Sequence, residues 1–224
     1  MTSLRFYDWE IPTVSLGKHQ KAEGAVDYSY CRQSAIPVVH RPTGGRAVLH
    51  DCELTYAVVS NDPNCFPLSS IRETYRLIAM GLQEGMEGLG IVTQLAGTSR
   101  KSRRLSRQQR EDPCFVSPSC CELLYEGRKI VGSAQRRLRR SFLQHGSIPL
   151  QVNHPKMAAS LGVSEELLRR SVVSVSEALG RAVARRTLCE ALQAGFERVF
   201  RVKLHRRGLV EDMRCHFSAK IASN

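Results

Sequence analysis

The 224-residue chain contains no run of eighteen apolar residues, so no part of it is expected to cross a bilayer as a helix. Its first residues, MTSLRFYDWEIPTVSLG, lack a basic stretch leading into an apolar core and a small-residue cleavage site. That argues against export and predicts a soluble, cytoplasmic protein. The eight cysteines, at positions 31, 52, 65, 114, 120, 121, 189 and 215, show no paired C-x-x-C spacing. No zinc or other metal site is therefore expected, and most of the thiols read as small buried hydrophobes. Cys120 and Cys121 would point to opposite faces of a strand and could not share one metal. Internal repeats, low-complexity tracts, helix-turn-helix patterns and finger spacings are also missing. What remains is one globular domain spanning residues 1–224.

Positive charge is plentiful. Thirty-three Lys and Arg against twenty-one Asp and Glu give a formal net charge of +12, gathered in Ser99–Arg110 and Gln135–Arg140. Such a surface implies an acidic partner. Neither segment interleaves aromatics with basic residues as single-strand binders do, so an acidic protein satisfies the charge as well as nucleic acid. Ser99–Arg110 also reads as a solvated loop.

Short β-branched and aromatic segments near Leu4, Thr13, Ile36, Arg46 and Glu53 predict strands punctuated by Pro and Gly turns. From Ser70 the apolar spacing becomes helical through Ile71, Tyr75, Ile78, Leu82, Met86 and Leu89, and Ser70 with Glu73 matches a capping box. A strand at Ile91–Leu95 follows. ELLYEGRKIVGSAQ then reads as two strands turned at Glu126 and Gly127, SFLQHGSIPL as a third, and helices return around Glu165–Leu168 and Leu188–Phe200. The fold class is α+β, a mixed, mainly antiparallel sheet flanked by helices.

Two motifs carry chemistry. In RPTGGRAVLHD, Arg41–Asp51, adjacent Gly44 and Gly45 allow close backbone approach to a ligand, although such a pair is more often only a tight turn. In PCFVSPSCCELLYEGRKIVGSAQ, Cys114 precedes Lys129 by fifteen positions. A free cysteine is only about 3% thiolate at neutral pH, whereas a cation held at about 4 Å could stabilise the anion by up to about 4 kcal/mol.

The glycine motif, GRKIVGSAQ at Gly127–Gln135 and LQHGSI at Leu143–Ile148, in that order, resemble the biotin/lipoate A/B protein ligase family. PCF at Pro113–Phe115 ahead of EGRK is similar to its cysteine-dependent octanoyl-acyl-carrier-protein:protein N-octanoyltransferase branch. The resemblance runs over nearly the whole chain and implies that family's catalytic-domain fold. It also implies a two-step reaction without a nucleotide or other cofactor, the octanoyl group arriving as a phosphopantetheine thioester on the donor protein. By it Cys114 is the nucleophile and Lys129 the group that lowers its pKa. Arg41, Thr43, Gly44, Gly45, Arg46, Ala47, His50, Gly132, Ser133, Ala134, His145 and Gly146 are implied to bind substrate. The implied partners are acyl carrier protein and lipoyl-domain proteins, either the glycine cleavage H protein or 2-oxoacid dehydrogenase acyltransferase subunits. These are acidic, so Arg136, Arg137, Arg139 and Arg140 are expected at a docking rim, with no nucleic acid and no membrane involved and a monomer as the state in solution.

Three features depart from the family pattern: an apparently absent N-terminal strand and helix, His40 in place of another arginine, and Cys120–Cys121 in place of larger aromatics. The first is expected to expose apolar surface beside the sheet. Rival readings are an ATP-dependent lipoate ligase, an octanoyl amidotransferase between lipoyl proteins, and a non-catalytic basic binding module. A degenerate binder has no need of both Cys114 and Lys129.

Overall fold

The computed structural model describes residues 1–96 and 122–205. The Ser99–Arg110 segment, Cys114, Cys120, Cys121 and Cys215 lie outside the described residues.

Nine strands and six helices are described: β1 (Thr2–Tyr7), β2 (Thr13–Leu16), α1 (Tyr28–Gln33), β3 (Val38–His40), β4 (Val48–His50), β5 (Glu53–Ser60), α2 (Ile71–Glu87), β6 (Gln94–Leu95), β7 (Leu123–Tyr125), β8 (Arg128–Arg137), β9 (Phe142–Pro149), α3 (His154–Leu161), α4 (Glu165–Ser171), α5 (Val175–Leu179) and α6 (Arg185–Phe200). The fold is α+β, as its sequence suggests, but the strands divide between two sheets. A six-stranded antiparallel sheet runs β1-β5-β9-β8-β7-β6, and a three-stranded one runs β3-β2-β4. In the small sheet β2 pairs parallel with β3, so the chain between them must cross over, and α1 supplies the crossover.

Alternation along β5 sorts the two faces of the large sheet. Leu54, Tyr56 and Val58 join Ile78, Leu82 and Met86 of α2 and Leu188, Leu192 and Phe196 of α6 in one core. The small sheet has its own core, in which Val14, Leu16 and Leu49 pack on Cys31, Met157, Leu161 and Leu168 from α1, α3 and α4. Glycines set the spacing of α2 and α6: a Cβ on Gly195 would lie 2.4 Å from the Gly85 nitrogen and 2.5 Å from the Gly81 carbonyl oxygen.

Local signals explain the element ends. Glu126 (φ 48°) and Gly127 (φ 77°) make the two-residue turn between β7 and β8 in the left-handed region that such hairpins require. At the start of α2 the Ser70 hydroxyl accepts the Glu73 N–H, but the Glu73 carboxylate turns to Arg76 at 2.9 Å, so only half of the expected capping box forms. A complete box appears instead at Ser174 and Glu177, opening α5. The strand expected over Ile91–Leu95 shortens to Gln94–Leu95. No described helix is long and apolar enough to cross a membrane.

Candidate active site

Between the two sheets lies a cleft of about 390 Å3, counting space open to solvent, lined by Ser15, Arg41, Val48, His50, Thr55, Gly132, Ser133, Ala134, His145, Gly146 and Ser147. Its walls come from the inner face of the small sheet and from the large-sheet face opposite the helices. Cross-strand register aligns them: Gly132 stands opposite Ser147, Ser133 opposite Gly146 and Ala134 opposite His145.

The structure gathers seven of the twelve residues expected to bind substrate at this cleft: Arg41, His50, Gly132, Ser133, Ala134, His145 and Gly146. Ser133 contributes there while its hydroxyl meets the Tyr56 hydroxyl at 2.7 Å on the helix-covered side. Tyr56 also accepts a bond from Gln144, and burial pushes its phenol up to about 12. The other five serve the loop around the cleft. Thr43, fully buried, bonds His145 Nε2 at 2.6 Å, tying the glycine loop to β9. Gly44 and Gly45 are exposed. Gly45 has φ +96°, and its carbonyl oxygen would sit 1.9 Å from any Cβ on Gly17, so the loop presses on the end of β2. Arg46 offers its carbonyl to Arg41 at 2.7 Å, and Ala47 belongs to the small-sheet core.

Arg41 is 8% exposed and organises the loop from inside. Its guanidinium donates to the carbonyls of Ser15 (2.8 Å), Gly44 (3.0 Å) and Arg46, and to the Ser15 hydroxyl (3.1 Å). Beyond Ser15 a polar chain continues that sequence reading did not find. Ser15 Oγ meets His50 Nε2 at 2.7 Å, and His50 Nδ1 meets Glu53 Oε1 at 2.8 Å. Thr55 bonds the same carboxylate at 2.5 Å and Ser147 bonds its other oxygen. Trp9 stacks on His50 with ring centroids 4.2 Å apart and donates its indole N–H to Thr55. The available signal was the alternation Glu53-x-Thr55, polar residues on one face of a strand whose other face is mainly apolar, with Leu54, Tyr56 and Val58.

His145 is held neutral. Burial, then the Arg41 charge, lower its pKa from 6.5 to about 4. The unfolded chain therefore binds a proton at this residue below about pH 6.5, and the folded one does not until about pH 4. Stability present above pH 6.5 is lost as pH falls through that window, with a slope of up to about 1.4 kcal/mol per pH unit. Thermal melts between pH 7 and pH 4.5 should show the decline, and His145→Gln should flatten it; equal slopes would remove His145 as its source.

Lys129 is 2% exposed on β8, and its Nζ lies 2.8 Å from Glu122 Oε2, which is equally buried. It is an ion-pair partner rather than a bare cation, so its field at any third group is partly cancelled. The stabilisation of up to about 4 kcal/mol expected of a lone ammonium is an overestimate for it. Cys114 itself lies outside the described residues. Among the four arginines expected at a docking rim, Arg137 is otherwise engaged, donating to the Leu68 and Ser70 carbonyls and to Thr74 Oγ1. Arg139 and Arg140 are exposed in the β8–β9 turn, and Arg136 is half-buried. Among the described residues no group of three His, Cys, Asp or Glu side chains is placed to hold a metal ion.

Residues 2–197 match the family model described as the lipoyl protein ligase A/B catalytic domain. Octanoyltransferase LipM of Geobacillus kaustophilus is 35% identical over 223 residues, covering 96% of this chain and 80% of that one. Octanoyltransferase LipM of Symbiobacterium thermophilum is 39% identical over 210 residues, covering 90% and 76%. Among solved structures, lipoate-protein ligase A bound with ATP superposes with a TM-score of 0.74 at 23% identity over 94% of this chain and 77% of that chain. A bi-partite lipoate protein ligase from Thermoplasma acidophilum gives 0.71 at 22% over 94% and 75%. At these identities the superpositions speak to the fold.

Proposed function

Because the chain belongs to the lipoyl protein ligase A/B catalytic-domain family, we propose that it is an octanoyltransferase of lipoate biosynthesis, moving an octanoyl group from a carrier-protein thioester to a lysine of a lipoyl domain. The observation that carries this reading is the likeness to octanoyltransferases over nine-tenths of the chain, at 35–39% identity. The cleft supports it. Small residues on the cleft face, Gly132 and Ala134, leave room for a flat thioester, and Val48 adds an apolar wall.

In this mechanism the Cys114 thiolate attacks the donor thioester and takes the octanoyl group as a second thioester, a nearly isoenergetic exchange. The acceptor amine then attacks that thioester to give a far more stable amide, so the donor alone can drive the reaction without ATP. Lys129, paired with Glu122, keeps positive charge in the region of the chain that precedes the Gly132–Ala134 wall. Arg139 and Arg140 present charge to an acidic carrier or lipoyl domain and speed encounter at low salt. This reading implies catalysis in the cytoplasm.

Intact-mass spectrometry after incubation with octanoyl-acyl carrier protein tests the proposal. The wild type should gain one octanoyl mass, and Cys114→Ala should gain none. An adduct that forms only with ATP and free octanoate would assign the chain to the ligases instead.

A further inference from the structure

The cleft contains one buried hydrogen-bond chain that thioester formation does not use. Its polarity is fixed by its ends. Arg41 can only donate, so the Ser15 oxygen accepts its N–H at 3.1 Å and the Ser15 proton is left to point at His50 Nε2, 2.7 Å away. At the other end the Glu53 carboxylate can only accept, so His50 Nδ1 carries a proton and Nε2 presents its lone pair. Trp9, stacked on the imidazole, and the Thr55 and Ser147 hydroxyls, both donating to Glu53, hold the arrangement in place. Ser15, His50 and Glu53 are 1%, 6% and 2% exposed, yet Ser15 and His50 line the cleft. Charged and titratable groups facing this chain among the described residues are Arg41, Glu53, His145 and Tyr7; Asp51, next to His50 in sequence, is bound to Lys156 at 2.9 Å.

We propose that Ser15 and His50 form the proton-accepting relay for the second half-reaction, transfer of the octanoyl group onto the acceptor lysine, with Glu53 as the positioning residue behind them. The inference rests on the octanoyltransferase reading. An attacking amine bears a proton that must leave as the amide forms, whereas a thiolate attacking a thioester has none to lose, so only the second half-reaction needs this base. In that step the lysine nitrogen bonds to the octanoyl carbonyl carbon and the carbon–sulfur bond breaks. The amine proton passes to Ser15 Oγ while the Ser15 proton passes to His50 Nε2. The sulfur leaves as the thiolate with which the cycle began, and His50 passes the proton through Ser15 to solvent, leaving the relay as it began. His145, the other cleft histidine, has its Nε2 bonded to Thr43 and is a weak base for the same task.

The two half-reactions can be timed separately. Octanoyl-enzyme is formed from the donor thioester and followed by intact mass, then isolated and mixed with a lipoyl domain between pH 6.5 and 9.5. His50→Gln, which alters the cleft lining and so slows acylation too, should slow transfer at pH 7 roughly 100-fold more than it slows acylation, this excess shrinking toward pH 9.5 as solvent base substitutes for the relay. Ser15→Ala should show the same split, and Glu53→Gln a milder one with the same pH dependence. Equal slowing of both half-reactions, an unchanged transfer step, or a deficit independent of pH would each overturn the relay. Ser15→Ala, which removes one oxygen, covers the case in which His50→Gln fails to fold. If wild type never acylates, the octanoyltransferase reading falls and the relay with it; if wild type acylates and the variants transfer normally, only the relay falls.

Discussion

Glu122→Ala should destabilise the protein by about 3–5 kcal/mol, because it strips the 2.8 Å carboxylate from an ammonium that is 2% exposed. The penalty is the desolvation of a charge left without this partner, and it exceeds what the pair contributes relative to an apolar substitute. The double variant Glu122→Leu with Lys129→Met should accordingly recover most of the lost stability, having no charge left to bury. It should recover none of the octanoyl transfer if Lys129 lowers the Cys114 pKa as the family resemblance implies. Urea unfolding of the wild type, both single variants and the double variant closes the cycle. A cost below about 1 kcal/mol for Glu122→Ala would mean that water or other groups already compensate Lys129.

Gly195→Ala should cost about 3 kcal/mol and lower the melting temperature by roughly 6–12 °C. The new Cβ would fall 2.4 Å from the Gly85 nitrogen and 2.8 Å from its Cα, contacts with backbone that no side-chain rotation relieves. Helix α6 must back away from α2, and the gap would open among Leu82, Met86, Leu192 and Phe196 in the large core. Calorimetry decides it: an unchanged transition would show that α2 and α6 have slack at their closest approach. Gly85→Ala meets the Leu192 Cα at 2.7 Å, so the same strain can be probed from the other helix.

Several elements could be read directly from the chain. Alternation in ELTYAVVS placed β5, helical spacing with Ser70 placed α2, and Glu126–Gly127 placed the β7–β8 turn. Each depends on neighbours within one element, so sequence alone carries it. Helices α1, α3 and α5 were not anticipated. They are five to eight residues long, too short for a periodic apolar stripe to register, and end signals alone mark them, such as the Asn153 cap and Gly162 of α3. The division into two sheets was also hidden, since it turns on β2 pairing parallel with β3 across an intervening helix.

For the site, the glycine, lysine and histidine motifs identified the strands and loops around the cleft, because each motif is contiguous. Residues that complete it were illegible for the opposite reason. Ser15, Glu53, Thr55 and Ser147 sit on three different strands, and Trp9 follows a fourth, β1; they converge only after the two sheets face each other. Arg137 shows the converse. Its place in a basic run suggested docking, yet tertiary contacts with the start of α2, at Ser70 and Thr74, occupy its guanidinium.

The two hydrophobic clusters lie outside the polar cleft, one beneath α2 and α6, the other among α1, α3 and α4. Stability and chemistry are therefore housed in different layers. Aliphatic side chains such as Leu82, Leu192, Leu16 and Leu161 can exchange one apolar shape for another of similar volume without touching the polar cleft. Substitutions in the layer between them instead meet directional bonds, His50 to Glu53 among them, that fasten one sheet to the other. Sequence drift in this protein has two separate reservoirs to draw on, and the narrow layer they enclose is where it has least freedom.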